Sequence, residues 1–314
     1  HDSLAIIKQN KPEAELHDIH DVAHFKQDPK VCALLQNGEA MGCFYVESPA
    51  MRQLMKKLQT QTYLELVAAS SIIRPGVSNS GMMREYMLRH KSVARRKTAL
   101  PELLQIMPET YGVMVYQEDV IKVAHYYAKL DLAEADVLRR AMSGKYRSRE
   151  EFKRLEQKYY TNCKQNGYPI TESKEIWNQI KSFAGYAFAK GHSASYAVES
   201  YQSLYLKKYF PLEYMTATLN NGGGFYSPEI YIHEAKMCGG TVEPPCINNS
   251  HFHTIIKGTV IFLGLGYLKE LEKRTARAII ESRNFNGAYR SFDNFIERVP
   301  ISIETLSTLI RINA

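Results

Sequence analysis

The sequence predicts a mainly helical protein with only short β segments. Apolar residues recur at helical spacing in one stretch after another, as Met51, Met55 and Leu58 do, and this spacing places them together on the buried face of a helix. Prolines and glycines separate many of these stretches and so mark their ends. The strand-like runs are short; they are Met41–Val46, Tyr111–Tyr116 and Val260–Leu265.

The first hundred residues divide at prolines. Ser48 and Pro49 form a favourable helix start, and the helix that follows carries the apolar face described above. A second apolar helix, Leu64–Ile73, is expected to stop before Arg74-Pro75-Gly76, since the residue before a proline avoids the helical conformation. Arg74 should therefore project from a rigid loop.

A group of histidines near the start could be taken for a metal site. His20 and His24 share a helix face at i, i+4, with His17 and Asp21 nearby. Nothing in the sequence supplies the orienting partners that ligating histidines usually have. A solvated helix face is the preferred interpretation, and we predict no metal ligand here.

The densest basic segment follows Ser78–Gly81. Its members, called the basic strip here, are Arg84, Arg89, Lys91, Arg95, Arg96 and Lys97. A charge run is usually a solvated helix face, but it can also follow the phosphates of a nucleic acid. The second interpretation is favoured.

Glu134–Lys145 is predicted to be a helix that ends at Gly144. The adjacent Arg139 and Arg140 lie about 100° apart on a helix, so at least one must point outward. A guanidinium suits a triphosphate, because its fork meets phosphate oxygens two at a time. The alternative is a surface salt bridge to Glu134 or Asp136.

The most informative stretch is Ser182–Lys208, which passes from a glycine and aromatic loop into a helix studded with tyrosines. Ser193 could cap the helix, and a helix start beside Lys190 and His192 favours a phosphate. This stretch is either a substrate platform or a loop followed by an ordinary amphipathic core helix.

Further on, the glycines of Asn220–Phe225 indicate a mobile loop.

Composition restricts the function less than the motifs do. The 314 residues are 45% hydrophobic and 23% charged, with a net charge of +7, which favours a folded protein and makes a polyanionic partner plausible. Five cysteines without a CxxC pair suit a reducing cytoplasm. No run of apolar residues is long enough for a membrane span. Because the chain opens on His1 rather than Met, we expect it to be a piece of a longer protein.

Several of these segments together match the pattern of a known protein family. The segments in question are GCFYVESPAMRQLM, the Arg74-Pro75-Gly76 loop, ETYGVMVYQEDVIKVA, EADVLRRAM and SFAGYAFAKGHSASYAVESYQSLYLKKYFPLEYM. In this order and at these spacings they resemble the fingers region of bacterial DNA polymerase III alpha subunits, the C-family replicative polymerases. The resemblance covers nearly the whole chain and rests on several long motifs in register.

The resemblance implies helical fingers that close over an incoming deoxynucleoside triphosphate (dNTP) and contact primer–template DNA. It assigns Arg139 and Arg140 to the triphosphate, and Lys190 and His192 to the nucleotide pocket. Tyr186 and Phe188 would pack near the sugar and base, and Arg74 would face the site from its loop. The basic strip would contact DNA.

The family also implies features that this chain does not carry. Its three palm aspartates hold two Mg²⁺ ions, and no Asp-x-Asp motif is present here, so the fragment should hold no metal and be inactive alone. The sliding clamp would bind regions outside the chain. The resemblance divides the chain into fingers over residues 1–250 and a tandem helix-hairpin-helix-like unit over 251–314. That unit is expected to be degenerate, because Lys269-Glu270-Leu271-Glu272 replaces the hairpin glycines.

Two other functions stay open at this point. An error-prone translesion relative of the same family shares the fingers motifs. A non-catalytic nucleic-acid-binding module could instead use the aromatic residues of the platform for stacking and the basic strip for backbone contact.

Overall fold

Helices dominate the computed structural model, which describes residues 1–73, 80–142, 149–183 and 189–314. The predicted helical fold class is confirmed. In chain order the helices are α1 (Asp2–Asn10), α2 (Val22–Gln27), α3 (Pro29–Asn37), α4 (Pro49–Leu58), α5 (Tyr63–Ile72), α6 (Met82–Lys91), α7 (Val93–Arg96), α8 (Pro101–Ile106), α9 (Gln117–Lys122), α10 (Leu132–Met142), α11 (Arg149–Gln165), α12 (Ile170–Ser182), α13 (Lys190–Tyr209), α14 (Pro211–Asn220), α15 (Pro228–Met237), α16 (Lys273–Asn286), α17 (Phe292–Arg298) and α18 (Ile303–Arg311).

The chain forms two compact units, and each is assembled from separate stretches. The central unit comprises Ala23–Ala40 and Ser48–Tyr201, and the terminal unit comprises His1–Val22, Met41–Glu47 and Gln202–Ala314. The proposed division of the chain at residue 250 stays a prediction.

Local signals explain the helix starts of the central unit. Ser48 accepts a hydrogen bond from the Met51 N–H at 3.3 Å, and Pro49 occupies the first turn of α4. The predicted apolar face is buried, with Met55 fully inaccessible. At the start of α5, Thr62 and Glu65 form a reciprocal capping box. These contacts fix both helices before tertiary packing is considered.

Aromatic side chains fill the rest of the core of the central unit. Trp177 is fully buried beside Tyr159, with ring centroids 4.7 Å apart. Tyr127 stacks on Tyr168 at 4.2 Å. Such pairs add to the free energy gained by burial, so they hold the helices of this unit together.

Two of the three predicted strands are wrong. Over Met41–Val46 the chain makes successive turns, with Gly42 and Tyr45 at φ of 79° and 68°. Over Tyr111–Tyr116 it makes a turn at Tyr111 and Gly112. A strand needs negative φ throughout, so these left-handed residues exclude one. Packing buries most apolar side chains of both runs, whereas Phe44 is 45% exposed.

The third predicted strand is confirmed within the terminal unit. Val260–Phe262 (β3) is the centre of a three-stranded sheet, with Thr241–Glu243 (β1) parallel on one side and Ile255–Lys257 (β2) antiparallel on the other. A short 3₁₀ segment, Leu265–Tyr267, follows the sheet and leads into α16.

The last three helices share a small core of their own. Its buried members are Leu265, Leu271, Ala276, Ile279, Tyr289, Phe295, Val299 and Leu309. The Tyr289 hydroxyl donates to the Ile279 carbonyl at 2.7 Å, which satisfies its polar end inside the core. In this region, α16 begins directly after Glu272 and α18 begins directly after Ser302.

The glycine stretch Asn220–Phe225 is tied down, contrary to the prediction of a mobile loop. The Asn220 amide exchanges hydrogen bonds with the Thr254 backbone at 2.7 and 2.8 Å. At the other end, the Phe225 N–H donates to the Glu47 carboxylate at 2.6 Å. A glycine is needed at 224, because a Cβ there would lie 2.1 Å from a Glu47 oxygen. Gly223 and Gly224 therefore allow the backbone to approach Tyr231 and Glu47 closely.

Candidate nucleotide-binding site

The site is best described from the first turn of α9, which carries Tyr116 to Asp119. The Asp119 carboxylate accepts the N–H groups of Val115 and Tyr116, each at 2.9 Å, and is almost fully buried. Burial raises the pKa of Asp119, and the two backbone hydrogen bonds oppose that rise. These hydrogen bonds fix the turn, so Gln117 and Glu118 project from a rigid backbone.

The predicted arginine pair lies on α10 and shares one carboxylate. Asp136 accepts two hydrogen bonds from Arg139, at 2.8 and 3.0 Å, and forms an ion pair with Arg140 at 3.1 Å. This is one of the two salt bridges considered from the sequence; the other candidate, Glu134, pairs with Lys158 at 2.7 Å. Arg140 is the more exposed of the two arginines, at 49% against 29%.

Lys190 lies at the start of α13 and is also paired with carboxylates. Its backbone N–H donates to both oxygens of Glu118, at 3.0 and 3.1 Å. Its ammonium forms an ion pair with Glu109 and lies 5.2 Å from the centre of the Tyr116 ring. The predicted cation is therefore at a helix start, as expected, and acidic groups of this chain neutralise it.

The prediction that Ser193 caps this helix is wrong. The helix begins three residues earlier, at Lys190, and Glu118 supplies the capping carboxylate. Ser193 is fully buried and shares a 2.7 Å hydrogen bond with Ser71. His192 is exposed, and its Nδ1 accepts from the Ala189 N–H at 3.3 Å.

The tyrosines of the predicted substrate platform are mostly core residues. Tyr201 is fully buried, and its ring lies 6.2 Å from that of Tyr63. In the terminal unit, Tyr205 is 5% exposed. Rings buried this completely do not present a face on which a base could stack, so the core-helix interpretation is correct for both.

Three predicted contacts lie outside the described residues, and so does the predicted helix end at Gly144. The three are Arg74, Tyr186 and Phe188. Their assignment to the nucleotide site stays a prediction.

The basic strip separates into two kinds of residue. Arg89 and Arg96 support the fold: Arg89 donates to Glu85 and to the Tyr111 carbonyl, both at 2.8 Å. Arg96 donates to the carbonyls of Arg89 and His90, at 2.6 and 2.8 Å, and lies over the Tyr111 ring. These guanidinium groups are used within the unit.

The remaining members of the strip are exposed. Arg95 pairs with Glu85 at 2.9 Å, and its hydrogen bonds, with that of Arg89, lower the pKa of the Glu85 carboxyl. The side chains of Arg84, Lys91 and Lys97 make no ion pair or hydrogen bond with another residue in the described part of the chain. These three cations could meet a polyanion without first breaking an ion pair within the described residues, whereas Arg95 would have to leave Glu85.

Gln117 and Glu118 are the site residues that sequence reasoning missed. The Gln117 residue is only 4% exposed, and its Oε1 accepts from Arg139 at 3.4 Å. A helix start after the apolar run at 111–116 was the only signal in the sequence, and it does not indicate which distant elements these side chains meet.

Comparison with known proteins identifies the family of the chain. The bacterial DNA polymerase III alpha subunit finger domain matches residues 1–167, and a helix-hairpin-helix motif matches residues 239–314. The chain is 35% identical over 291 residues to the DNA polymerase III subunit alpha of Staphylococcus aureus (strain MRSA252), covering 91% of this chain and 27% of that protein. The Thermus aquaticus protein of the same name is 34% identical over 296 residues, covering 91% and 24%.

The fold and the matches therefore define a polymerase finger region followed by a helix-hairpin-helix motif. The chain belongs to the finger-domain family of bacterial DNA polymerase III alpha subunits. It spans about a quarter of the length of these relatives. Within its described residues, no helix is both long enough and apolar enough to cross a bilayer.

Proposed function

We propose that this chain supplies the fingers of a DNA-directed DNA polymerase, which bind the incoming dNTP and the primer–template during replicative synthesis. One observation supports the proposal most directly. The first turn of α9 contacts both sets of cations predicted to bind the triphosphate, the arginine pair on α10 and Lys190 on α13. Gln117 touches Arg139, and the adjacent Glu118 touches Lys190. Residues predicted from separate segments of the sequence are thereby gathered around one place, as a triphosphate with several negative charges requires.

Binding of the nucleotide would replace carboxylates by phosphates. Without a ligand, Asp136 neutralises the arginine pair and Glu109 neutralises Lys190. The side chains in these ion pairs are roughly one third to one half exposed, so each pair is weak in water. A triphosphate offers more charge and bidentate geometry to the same guanidinium groups, which favours the exchange.

These carboxylates do not suit a catalytic magnesium site. Asp136 is shared by two guanidinium groups, and Glu118 accepts a backbone N–H with both oxygens. Mg²⁺ would prefer oxygen ligands free of such partners. The metal ions of nucleotidyl transfer would therefore be held elsewhere in the complete polymerase. The polymerase would act in the cytoplasm, with the sliding clamp bound through other regions.

The exposed part of the basic strip would contact primer–template DNA. Arg84, Lys91 and Lys97 are exposed and are not paired with the unit's own carboxylates, so they could neutralise backbone phosphates without breaking internal contacts. The replicative role is preferred to the translesion role because the relatives from Staphylococcus aureus and Thermus aquaticus are named DNA polymerase III subunit alpha, the group of polymerases whose fingers motifs the sequence resembles.

Nucleotide kinetics of the complete native polymerase test the proposal. Arg139→Ala and Arg140→Ala should each lower kcat/KM for dNTP by about tenfold or more, which corresponds to the removal of one charge-assisted hydrogen bond to phosphate. The Kd for primer–template, measured by fluorescence anisotropy, should stay within about twofold, which corresponds to only about 0.4 kcal/mol. Arg154→Ala is the matched control, because Arg154 is 65% exposed on α11 in the same unit.

Two results would contradict the proposal. Equal losses in dNTP use and in primer–template binding would remove the case for a triphosphate role. Arginine variants that match the Arg154→Ala control in both assays would exclude the pair from the nucleotide site altogether.

A further inference from the structure

The first turn of α9 carries two adjacent side chains that reach different helices. Gln117 contacts α10 through Arg139, and Glu118 contacts the first residue of α13, Lys190. All of these residues belong to the central unit. The turn itself is rigid, because Asp119 accepts its two backbone N–H groups.

Gln117 is held in one orientation by the group it faces. Its Oε1 lies 3.4 Å from a guanidinium nitrogen of Arg139, and only the carbonyl end of an amide can accept from that donor. Asp136 holds two other nitrogens of the same guanidinium at 2.8 and 3.0 Å. Arg139 is thus fixed from two sides, with its fork oriented by neighbours rather than left to rotate.

The other end of the Gln117 amide meets no acceptor in the described part of the chain. Its Nε2 is buried and finds no hydrogen-bond partner among the described residues. A buried N–H group without a partner is unfavourable, so a sequence with no further use for this amide would favour an apolar side chain here. Beside Arg139, the unused donor suits an anionic oxygen that binds there.

Glu118 determines where α13 begins. Its two carboxylate oxygens accept the Lys190 N–H at 3.0 and 3.1 Å, at the positive end of a 20-residue helix. The Lys190 side chain leaves from this same residue and lies near the Tyr116 ring. A shift of the helix start would therefore move the Lys190 ammonium with it.

We infer that Gln117 and Glu118 are positioning residues for the triphosphate: they set Arg139 and Lys190 relative to each other through one rigid turn. The inference rests on the proposed dNTP function. The Gln117 amide N–H, which has no partner among the described residues, can reach a phosphate oxygen only while Arg139 holds that oxygen beside it, so the contribution of Gln117 depends on Arg139. Glu118 acts through Lys190 and does not itself touch the nucleotide.

Steady-state incorporation by the complete native polymerase tests the Glu118 part. Glu118→Ala should raise the KM for dNTP roughly tenfold, because Lys190 is no longer held at its position. Glu118→Gln should stay within about threefold of the wild type, since the amide oxygen still accepts the Lys190 N–H. Glu175→Ala, an exposed position on α12 of the same unit, is the control. Primer–template Kd serves as the folding check for each variant.

A double-mutant cycle tests the Gln117 part. Gln117→Ala alone should raise the KM for dNTP several-fold, and the pair Gln117→Ala with Arg139→Ala should be no worse than Arg139→Ala alone, because the two residues act as one unit. Effects that simply add would show that Gln117 does not act through Arg139, and would overturn this part of the inference. If Glu118→Ala fails to fold, a rise in the KM for dNTP well above threefold in Glu118→Gln would still refute the Glu118 part, and this cycle decides the Gln117 part.

The outcomes distinguish a failure of the proposed nucleotide site from a failure of the positioning role of Gln117 and Glu118. If Arg139→Ala and Lys190→Ala leave dNTP kinetics unchanged in an active polymerase, the proposed function of this site fails. If those variants are impaired while Glu118→Ala and Gln117→Ala match the control, the nucleotide site stands and the positioning inference alone is refuted. An equal loss in Glu118→Ala and Glu118→Gln would also refute it, because the conservative variant keeps the capping bond.

Discussion

Replacement of Glu47 should loosen the glycine stretch that it holds. The Glu47 residue is 9% exposed, and its carboxylate accepts from three donors: the Gly42 N–H at 2.9 Å, the Phe225 N–H at 2.6 Å and the Tyr231 hydroxyl at 2.9 Å. All three lie in the terminal unit. Glu47 therefore joins the turn at 41–47 to the loop and helix at 220–231.

The expected effect follows from the number of donors left without an acceptor. A hydrogen bond to a charged group contributes about 1.5–3 kcal/mol, and an unsatisfied buried donor is unfavourable by a similar amount. Local relaxation and entering water reduce the sum, so Glu47→Ala should lower the free energy of local opening by about 3–4 kcal/mol. At about 1.4 kcal/mol per factor of ten, this means exchange faster by roughly two to three orders of magnitude.

Hydrogen exchange with mass spectrometry on the complete native polymerase measures this directly. Peptides that cover residues 41–47 and 220–231 should exchange faster in Glu47→Ala, and Glu47→Gln should give a smaller increase because it keeps one acceptor oxygen. Glu243→Gln, at an exposed glutamate of the same unit, is the control. Unchanged protection of both peptides in Glu47→Ala would refute the reasoning, since it would mean that the carboxylate does not hold the loop.

Two further predictions concern the basic strip. Changing Arg84, Lys91 and Lys97 together to Gln should reduce the slope of log Kd for primer–template against log salt by about 0.7–0.9 for each phosphate that these cations no longer neutralise; an unchanged slope in anisotropy titrations would identify them as a solvated face. The pKa of Glu85 is lowered chiefly by its hydrogen bond from Arg95, so its contribution to stability is present above its ordinary pKa of 4.5 and is lost as pH falls through the lowered value. Glu85→Gln should therefore lose less stability than the wild type in thermal melts between neutral pH and about pH 3, and parallel losses would contradict this.

Several elements could be predicted from the sequence because their causes are local. The start of α4 depends on Ser48 and Pro49, which lie within three residues of the groups they cap or replace. The burial of Met55 follows from apolar character and helical spacing. The step of about 100° between neighbouring residues of a helix requires that at least one of Arg139 and Arg140 point outward, and the structure shows that Arg140 is the more exposed.

Contacts between distant segments could not be predicted in this way. Local signals favoured Ser193 as the cap of α13, but the tertiary structure assigns that role to Glu118, 72 residues away from Lys190. A carboxylate from a distant segment can replace a local residue as the cap of a helix. The packing of α9 against its neighbours brings the Glu118 carboxylate to the start of α13. In the same way, Arg89 and Arg96 have the composition of a DNA-binding strip, yet backbone carbonyls of neighbouring segments occupy them.

The sequence by itself determined the helical class, the family and the positions of Arg139, Arg140 and Lys190, because motif, spacing and propensity are properties of neighbouring residues. Only the tertiary structure decided which carboxylates neutralise these cations. It also decided that the first turn of α9 contacts both Arg139 and Lys190. Turns replaced two predicted strands for the same reason: a left-handed residue such as Tyr45 is stabilised by the contacts around it, and not by its own preference.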